Sequence, residues 1–323
     1  MNNILLSITV PCYNEEKNIA ILVAELGLVL EEYDYEIILV NDGSTDQTQQ
    51  VIEFLAIESD KVKFISLSRN FGHQKAIKAG IDHAKGDCIV TMDADLQHPP
   101  QTIPEMIALW ELGNKVVTAV RSVQGQGSFF KKYTSKLFYL FLSKISNQDV
   151  VGNSSDFRLF DKKIVDILRK MPEQDLYIRG LVPWIGFKQT TIKFNEGRRV
   201  YGKTKYTLKK MLLLASNGIT SSGIKPLRFA LSAGILFAML AFGYGIYAVI
   251  ATFLGLTVSG WSSIIASIMF LSGIQLMVLG VMGEYLGKMY MANKQRPNYI
   301  VSNTNISKKI ENDNQQERRA AMF

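Results

Sequence analysis

The fold is decided by the stretch Val90-Thr91-Met92-Asp93-Ala94-Asp95-Leu96-Gln97-His98-Pro99-Pro100. An apolar run ends here in acidic and amide side chains, which predicts the end of a buried strand. Alternate side chains of an extended backbone point the same way, so we expect Asp93, Asp95 and Gln97 to converge. Such oxygen ligands suit a divalent cation that keeps water and substrate phosphate ligands. An acidic surface loop ending in a turn is the alternative for this stretch alone.

Apolar runs alternate with helical periodicity from residue 4 to residue 120. We predict strands at residues 4–12, 36–40, 62–67, 87–92 and 115–120. The helices between them are predicted at 15–30, after residue 46 and through residue 55, at 74–84, and at 104–112. This order predicts an α/β fold with a doubly wound, mostly parallel sheet. Ligands bind such sheets at the carboxyl ends of the strands, so the polar segments 11–15, 42–46 and 93–97 should share one rim.

Two further polar motifs follow the first and second strands. In Pro11-Cys12-Tyr13-Asn14-Glu15-Glu16, a nucleobase could lie near Tyr13 while Glu15 accepts from ribose hydroxyls. The plainer interpretation is a helix N-terminus capped by Asn14. In Asn41-Asp42-Gly43-Ser44-Thr45-Asp46, we expect an acceptor carboxylate, a glycine that permits close backbone approach, and Ser44 as a cap. No G-x-G-x-x-G follows the first strand, which argues against a dinucleotide-binding fold.

Two long apolar runs lie in the last third of the chain of 323 residues. Residues 229–258 and 260–283 contain no charged side chain, and a membrane-spanning helix needs about 20 apolar residues. We predict two transmembrane helices, at about 229–256 and 261–284, within a segment 226–290. Lys and Arg flank the pair but are absent from the turn, so both termini are expected in the cytoplasm. Two helices buried in a soluble core are the alternative.

The other segments complete the predicted organisation. Residues 1–225 should form a cytoplasmic catalytic domain, and the polar tail 291–323 should be largely disordered. Aromatic and lysine side chains in 128–145 and 207–219 predict helices at the membrane interface, although core packing also fits the second. The apolar run 4–10 is short and lacks a basic leader, so we expect no signal peptide. The two cysteines have no metal or redox spacing, and the net charge of +7 suits anionic lipid headgroups rather than nucleic acid.

The three rim motifs, in this order and spacing, resemble those of glycosyltransferase family 2. Later motifs resemble its polyprenyl-phosphate branch, which includes dolichol-phosphate mannose synthases and bacterial bactoprenol glucosyltransferases. These motifs are Ser154-Ser155-Asp156-Phe157-Arg158-Leu159, the segment Arg199–Tyr206, and Gly283-Glu284-Tyr285-Leu286-Gly287. The resemblance covers residues 4–300 and implies the nucleotide-binding glycosyltransferase A-type fold. Ser155 and Thr204 depart from the usual glycine and serine without removing a charged group.

The resemblance implies roles for individual residues. Nucleotide contacts are implied for Pro11, Tyr13, Glu15, Asp42 and Asp93, and Mg²⁺ or Mn²⁺ ligands for Asp93, Asp95 and Gln97. The acceptor or diphosphate is expected to contact Arg121, Lys132, Arg199 and Lys205. Asp156 is the candidate base. Because a phosphate monoester has its second pKa near 6 and is already largely anionic, Asp156 could equally orient the acceptor.

The implied reaction is inverting transfer of one sugar from a UDP-sugar, foremost UDP-glucose, to undecaprenyl phosphate. UDP-N-acetylglucosamine and GDP-mannose are the alternative donors. The resemblance also implies a bacterial inner-membrane location and a homo-oligomer such as a tetramer. A processive polysaccharide synthase would carry Gln-x-x-Arg-Trp, which this sequence lacks. A lipid-linked sugar transporter would need a polar path through the two apolar spans.

Overall fold

The computed structural model describes residues 4–122, 154–171, 178–195 and 260–306, and single positions between 234 and 254. The chain divides into two compact units. The first contains Met1–Gly127, Val150–Lys205 and Pro297–Phe323, and the second contains Ser128–Asp149 and Tyr206–Arg296.

An eight-stranded sheet forms the centre of the first unit, in the order β7-β5-β6-β4-β1-β2-β3-β8. The pairings orient six strands one way, whereas β6 and β8 run in the opposite direction. The mostly parallel α/β sheet predicted from the sequence is therefore confirmed. The strands are β1 Leu5–Cys12, β2 Asp34–Asn41, β3 Val62–Leu67, β4 Cys88–Thr91, β5 Val116–Arg121, β6 Ser154–Asp161, β7 Gln189–Phe194 and β8 Val301–Thr304.

Helices cover both faces of this sheet. Alternate residues of β2 enter different cores: Leu39 lies in one apolar cluster, whereas Ile38 and Val40 lie in the other. The first cluster includes residues of α1, α2 and α4, and the second includes residues of α3, α5 and α6. These helices are α1 Ile19–Val29, α2 Thr48–Glu58, α3 His73–His83, α4 Ile103–Glu111, α5 Lys162–Lys170 and α6 Ile178–Ile185, with a 3-10 turn at Pro100–Thr102.

The start of α1 differs from the prediction. The helix begins at Ile19 instead of residue 15, because Asn14 has a positive φ of 57° and the chain forms a loop before the helix. The predicted caps are also wrong. Asn14 Oδ1 accepts from the Thr45 N–H, and Ser44 Oγ accepts from the Asn14 N–H. Both side chains join the two loops to each other instead of capping the N-terminus of a helix.

The tail contains a strand, β8, that was not predicted from the sequence. β8 pairs antiparallel with β3, and Thr304 Oγ1 donates to the Phe64 carbonyl at 2.6 Å. Asn305 Oδ1 accepts from the Phe64 N–H at 2.8 Å. The expectation of a largely disordered segment 291–323 is therefore wrong for Val301–Thr304. Polar side chains of this segment form hydrogen bonds with β3 at the open edge of the sheet. Residues 307–323 lie outside the described part.

The second unit contains the long helix α7, Trp261–Asn293, of 33 residues. Among the residues described, one stretch, Phe270–Asn293, is long and apolar enough to cross a membrane. Most of the predicted span 229–256 lies outside the described residues. The same holds for the predicted interfacial helices at 128–145 and 207–219.

Candidate active site at the carboxyl edge of the sheet

Two carboxylates, Asp93 and Asp156, lie on either side of one imidazole. His73 Nε2 is 3.4 Å from Asp93 Oδ1 and 3.3 Å from Asp156 Oδ2. The Asp156 side chain is buried, with 8% exposure, whereas those of His73 and Asp93 are 45% and 29% exposed. A ligand can therefore approach the cluster from the exposed His73 side, whereas the Asp156 side is buried.

The strand directions explain why these distant residues meet. β6 runs antiparallel to β4, and Thr91 pairs with Arg158. Continuing this register by two residues brings Asp93, just beyond β4, level with Asp156 near the start of β6. The Thr91 hydroxyl also donates to the Asp156 carbonyl at 2.6 Å. The reversed strand thus places an acid from late in the sequence at the rim formed by the parallel strands.

Asp42 holds the backbone that leads into α3. Its Oδ1 accepts from the Phe71 N–H at 2.7 Å, and its Oδ2 accepts from the Gly72 N–H at 3.0 Å. Burial raises the pKa of Asp42, and the two amide hydrogen bonds offset this only in part. The side chain predicted to contact the nucleotide therefore also fixes the loop that carries His73.

The loops after β1 and β2 are bonded to each other. Glu15 N–H donates to Thr48 Oγ1 at 2.9 Å, and Gln47 N–H donates to Glu16 Oε2 at 3.0 Å. Glu15 also accepts from the Asn18 amide at 2.7 Å. The predicted rim segments 11–15 and 42–46 are adjacent, as the parallel pairing of β1 with β2 requires.

Close backbone approach at Gly43 accompanies this arrangement. A Cβ at that position would lie 2.4 Å from the backbone carbon of Arg69 and 2.5 Å from the Asn70 nitrogen. Gly43 also has a positive φ of 63°. The prediction of a glycine permitting close approach is confirmed, and the approaching group is the loop after β3.

The acidic stretch after β4 has a turn instead of the extended backbone expected from the sequence. Leu96 has a positive φ of 61°, and Asp95 Oδ1 accepts from the Gln97 N–H at 3.2 Å. The extended backbone predicted through Asp93, Asp95 and Gln97 is therefore wrong. A short Asx-type turn places these side chains instead.

The donor atoms of this turn fit part of a divalent cation's ligand shell. Asp93 Oδ1 is buried, and within the described part of the chain no group donates a well-aligned hydrogen bond to it, although His73 Nε2 lies 3.4 Å away. Asp95 and Gln97 are half-buried and carry hard oxygen atoms. Among the described residues, no group of three or more His, Cys, Asp or Glu is arranged to bind a metal. Mg²⁺ or Mn²⁺ here would need oxygen ligands from a substrate diphosphate and water as well.

A buried histidine supports the same turn. His98 is fully buried, and its Nδ1 accepts from the Asp93 N–H at 3.0 Å. The acceptor role of Nδ1 places the proton of the neutral ring on Nε2. Burial lowers the pKa of His98, although Asp93 and Asp95 act in the opposite direction. The ring stacks on Phe157 with centroids 5.1 Å apart, which links the turn after β4 to β6.

Of the remaining predicted site residues, the structure describes Pro11, Tyr13 and Arg121. Pro11 is buried within β1, Tyr13 is exposed just after it, and Arg121 is half-buried at the end of β5. The other predicted phosphate contacts, Lys132, Arg199 and Lys205, lie outside the described residues.

His73, Gln74 and His98 were not predicted from the sequence as site residues. Gln74 Nε2 donates to Asp156 Oδ2 at 3.1 Å, beside His73. The strand-end rule could have found His73, because Asn70-Phe71-Gly72-His73 follows the third parallel strand. His98 directly follows Gln97 but is a single histidine in an ordinary-looking turn, which gives little indication of its contact with Asp93.

Two family models match the sequence. The one described as Glycosyl transferase family 2 matches residues 7–168, which include His73, Asp93 and Asp156. The one described as GtrB C-terminal hairpin matches residues 225–289.

Proteins of Bacillus subtilis and Escherichia coli are similar to this chain over most of their length. The uncharacterized glycosyltransferase YkcC of Bacillus subtilis is 45% identical over 298 residues, covering 91% of this chain and 92% of YkcC. The Escherichia coli protein named prophage bactoprenol glucosyl transferase homolog is 39% identical, covering 92% and 98% of the two chains. Among solved structures, Mycobacterium tuberculosis glucosyl-3-phosphoglycerate synthase with Mn²⁺, UDP and glucosyl-3-phosphoglycerate aligns with a TM-score of 0.45. Its sequence is 17% identical, and the alignment covers 67% of this chain and 78% of that one.

Proposed function

The chain belongs to glycosyltransferase family 2, and we propose that it transfers a single sugar from a nucleotide sugar to a polyprenyl phosphate. The proposed donor is UDP-glucose, and the proposed acceptor is undecaprenyl phosphate. The reaction inverts the anomeric carbon and occurs at the cytoplasmic face of the bacterial inner membrane. Its product is a lipid-linked sugar for modification of cell-envelope glycans.

One observation carries the proposal: a family 2 catalytic domain and a GtrB-type hairpin occur in the same chain. The Escherichia coli relative, named for bactoprenol glucosyl transfer, aligns over 98% of its length. The apolar stretch Phe270–Asn293 supports a membrane location, where a polyprenyl lipid is found. Each feature supports a lipid acceptor more directly than it supports a soluble one.

On the donor side, the rim residues bind the nucleotide in this proposal. Tyr13 is exposed beside the end of β1, where its ring can contact a base. Glu15 and Asp42 are at neighbouring strand ends, within reach of the base and ribose hydroxyls. Asp93, Asp95 and Gln97 would hold the cation. The cation, when bound, supplies Lewis-acid stabilisation of the leaving diphosphate.

On the acceptor side, Asp156 faces the reacting centre. Gln74 and His73 fix its Oδ2 from one direction, so the carboxylate has a defined orientation. It orients the acceptor phosphate or takes its last proton, because most of that phosphate is already anionic near neutral pH. Arg121, Arg199, Lys205 and Lys132 supply positive charge for the phosphates.

Alternative donors remain within the same chemistry. UDP-N-acetylglucosamine and GDP-mannose carry the same diphosphate and ribose, and the contacts described above do not separate them. We also propose that the enzyme works as a homo-oligomer. The family 2 domain, with its carboxylate cluster at the sheet rim, favours an enzyme over a non-enzymatic transporter.

A donor panel tests the proposal. Purified full-length protein in detergent is mixed with undecaprenyl phosphate, MgCl₂ or MnCl₂, and one radiolabelled sugar nucleotide at a time. We expect label in the lipid fraction with UDP-glucose and release of UDP. Label with another donor would correct the sugar alone. An absence of lipid-soluble label with every donor would overturn the proposed function.

A further inference from the structure

We propose that His73 is a positioning residue that sets the orientation of Asp93 and Asp156 together. This inference rests on the proposed function, in which Asp93 acts on the donor side and Asp156 on the acceptor side. It assigns to His73 the task of coupling the two halves of the site. His73 Nε2 lies between the carboxylate of Asp93, just beyond β4, and that of Asp156 in β6.

The distances show that neither carboxylate is the sole partner of the ring. Nε2 lies 3.4 Å from Asp93 Oδ1 and 3.3 Å from Asp156 Oδ2. A nitrogen lone pair facing two carboxylate oxygens would be repelled, so Nε2 carries the proton. A small rotation of the ring brings this N–H into hydrogen-bonding distance of either oxygen. The hydrogen bond donated by Nε2–H can therefore switch from one carboxylate to the other.

The cluster also controls repulsion between like charges. Two ionised carboxylates that share a site repel each other, and a hydrogen-bond donor placed between them offsets that repulsion. The His73 N–H occupies that position. Gln74 Nε2 donates to Asp156 Oδ2 as well, so consecutive residues of α3 hold this carboxylate. Asp93 is held from the other side, where its own N–H donates to His98 Nδ1.

The backbone that carries His73 is fixed independently of any ligand. His73 is the first residue of α3, and Gly72 before it has a φ of 101°. Asp42 accepts the N–H groups of Phe71 and Gly72. Gln74 Oε1 accepts from the Ile178 N–H at 3.4 Å, which joins the same turn to α6. The backbone that carries the imidazole is therefore fixed by hydrogen bonds on both sides of His73.

This arrangement predicts how donor binding affects the acceptor side. When a ribose hydroxyl of the donor substrate donates a hydrogen bond to Asp93, the His73 N–H is released to Asp156. Asp156 is then held in one orientation as the acceptor phosphate arrives. Loss of the N–H should leave most donor contacts in place but leave Asp156 poorly oriented. The defect should appear in kcat more than in donor affinity.

Three histidine substitutions test the inference in the full-length enzyme. His73→Leu removes the N–H, whereas His73→Gln keeps an amide donor at similar reach. His83→Gln is the matched control at the other end of α3, where Nδ1 contacts the Ala79 carbonyl. For each variant we would measure kcat and KM with UDP-glucose and undecaprenyl phosphate. Calorimetric titration with UDP in MgCl₂ and the unfolding midpoint complete the set.

We expect His73→Leu to lower kcat by about 100-fold, the scale of a misplaced reacting group. Its UDP affinity and unfolding midpoint should stay near wild type, His73→Gln should recover much of kcat, and His83→Gln should match wild type. Wild-type kcat in His73→Leu, or equal defects in the Leu and Gln variants, would overturn the inference. A loss of kcat that follows a lowered unfolding midpoint would also overturn it. If the wild-type enzyme itself transfers no sugar, the proposed function fails instead.

Discussion

Asp42 Oδ2 and the Gly72 N–H form a hydrogen bond of 3.0 Å that ties the end of β2 to the start of α3. The other carboxylate oxygen accepts the neighbouring Phe71 N–H at 2.7 Å. The motif Asn41-Asp42-Gly43 thus has a structural task besides any contact with a nucleotide. It fixes the loop that places His73 between Asp93 and Asp156.

Replacement of Asp42 by Asn should destabilise this loop. The amide can satisfy only one of the two backbone N–H groups, and a buried unpaired donor costs about 1–3 kcal/mol. We expect a lower unfolding midpoint and a lower kcat in the full-length protein. Differential scanning fluorimetry and the transfer assay measure the two effects.

Asp34→Asn is the matched control for this change, because Asp34 is exposed at the other end of β2. It should leave both properties unchanged. Lost activity in Asp42→Asn at an unchanged midpoint would show that Asp42 acts through ligand contact alone.

Gly43→Ala should be more harmful than an alanine at another glycine with positive φ. Its Cβ would lie within 2.9 Å of three backbone atoms of Arg69 and Asn70. Gly113 has a φ of 90° but no atom within 4 Å of such a Cβ. Gly113→Ala therefore measures the backbone strain, about 1–2 kcal/mol, without the crowding. Equal unfolding midpoints for the two variants would contradict the close approach at Gly43.

Asp95→Asn should remove turnover. The substitution keeps the size of the side chain and an oxygen acceptor, but it removes the charge that a divalent cation requires. We expect at least about a 100-fold loss of kcat, comparable to loss of one preorganised transition-state contact. Excess EDTA should have a similar effect on the wild type, with recovery on added Mn²⁺. Asp60→Asn, at an exposed loop position, is the control. Near-normal turnover in Asp95→Asn would remove this residue from the cation site.

Asp161 predicts an acid-dependent loss of stability away from the active site. Its Oδ2 accepts from Trp110 Nε1 and Lys115 Nζ, both at 2.8 Å. Its Oδ1 accepts from the Lys163 N–H as the cap of α5. Burial alone would raise the pKa of Asp161, but these donors and the Lys115 charge lower it below its usual value.

A lowered pKa in the folded state makes the ionised carboxylate stabilising above the unfolded value of about 3.9. That stability is lost as the pH falls through the lower folded value. At pH 7, Asp161→Asn should reduce the free energy of unfolding by about 1–3 kcal/mol. The difference from wild type should shrink below about pH 4. Urea unfolding at several pH values measures it, with exposed Asp166→Asn as the control. A difference that is constant with pH would contradict the assignment.

The sequence predicted the framework because its apolar runs are long and regular. The strands before residue 121 lie where their periodicity indicated, and parallel order followed from the helices between them. The rim position of Asp42 and Asp93 followed from the same rule. Asp156 could be linked to them through family resemblance, since its strand runs against its neighbours and lies more than 60 residues after Asp93 in the sequence.

Other features depend on local geometry that periodicity does not report. The left-handed φ of Leu96 converts the expected strand end into a turn, although leucine rarely adopts that conformation. β8 is a short polar segment, and its hydrogen bonds to β3 become evident only when the open edge is known. The strand-end rule could point to His73, but its position between two carboxylates becomes evident only when the strands are placed in order, because Asp93 follows β4 and Asp156 lies in β6.

The proposed enzyme joins one sugar to a polyprenyl phosphate. Mass spectrometry of the lipid product, after incubation of the full-length enzyme with UDP-glucose, undecaprenyl phosphate and Mg²⁺, measures this reaction. We predict one new lipid species, heavier than the acceptor by a single hexose, formed in equal amount with UDP. An unchanged lipid with every sugar nucleotide offered, or a ladder of species with several added hexoses, would contradict the proposed reaction.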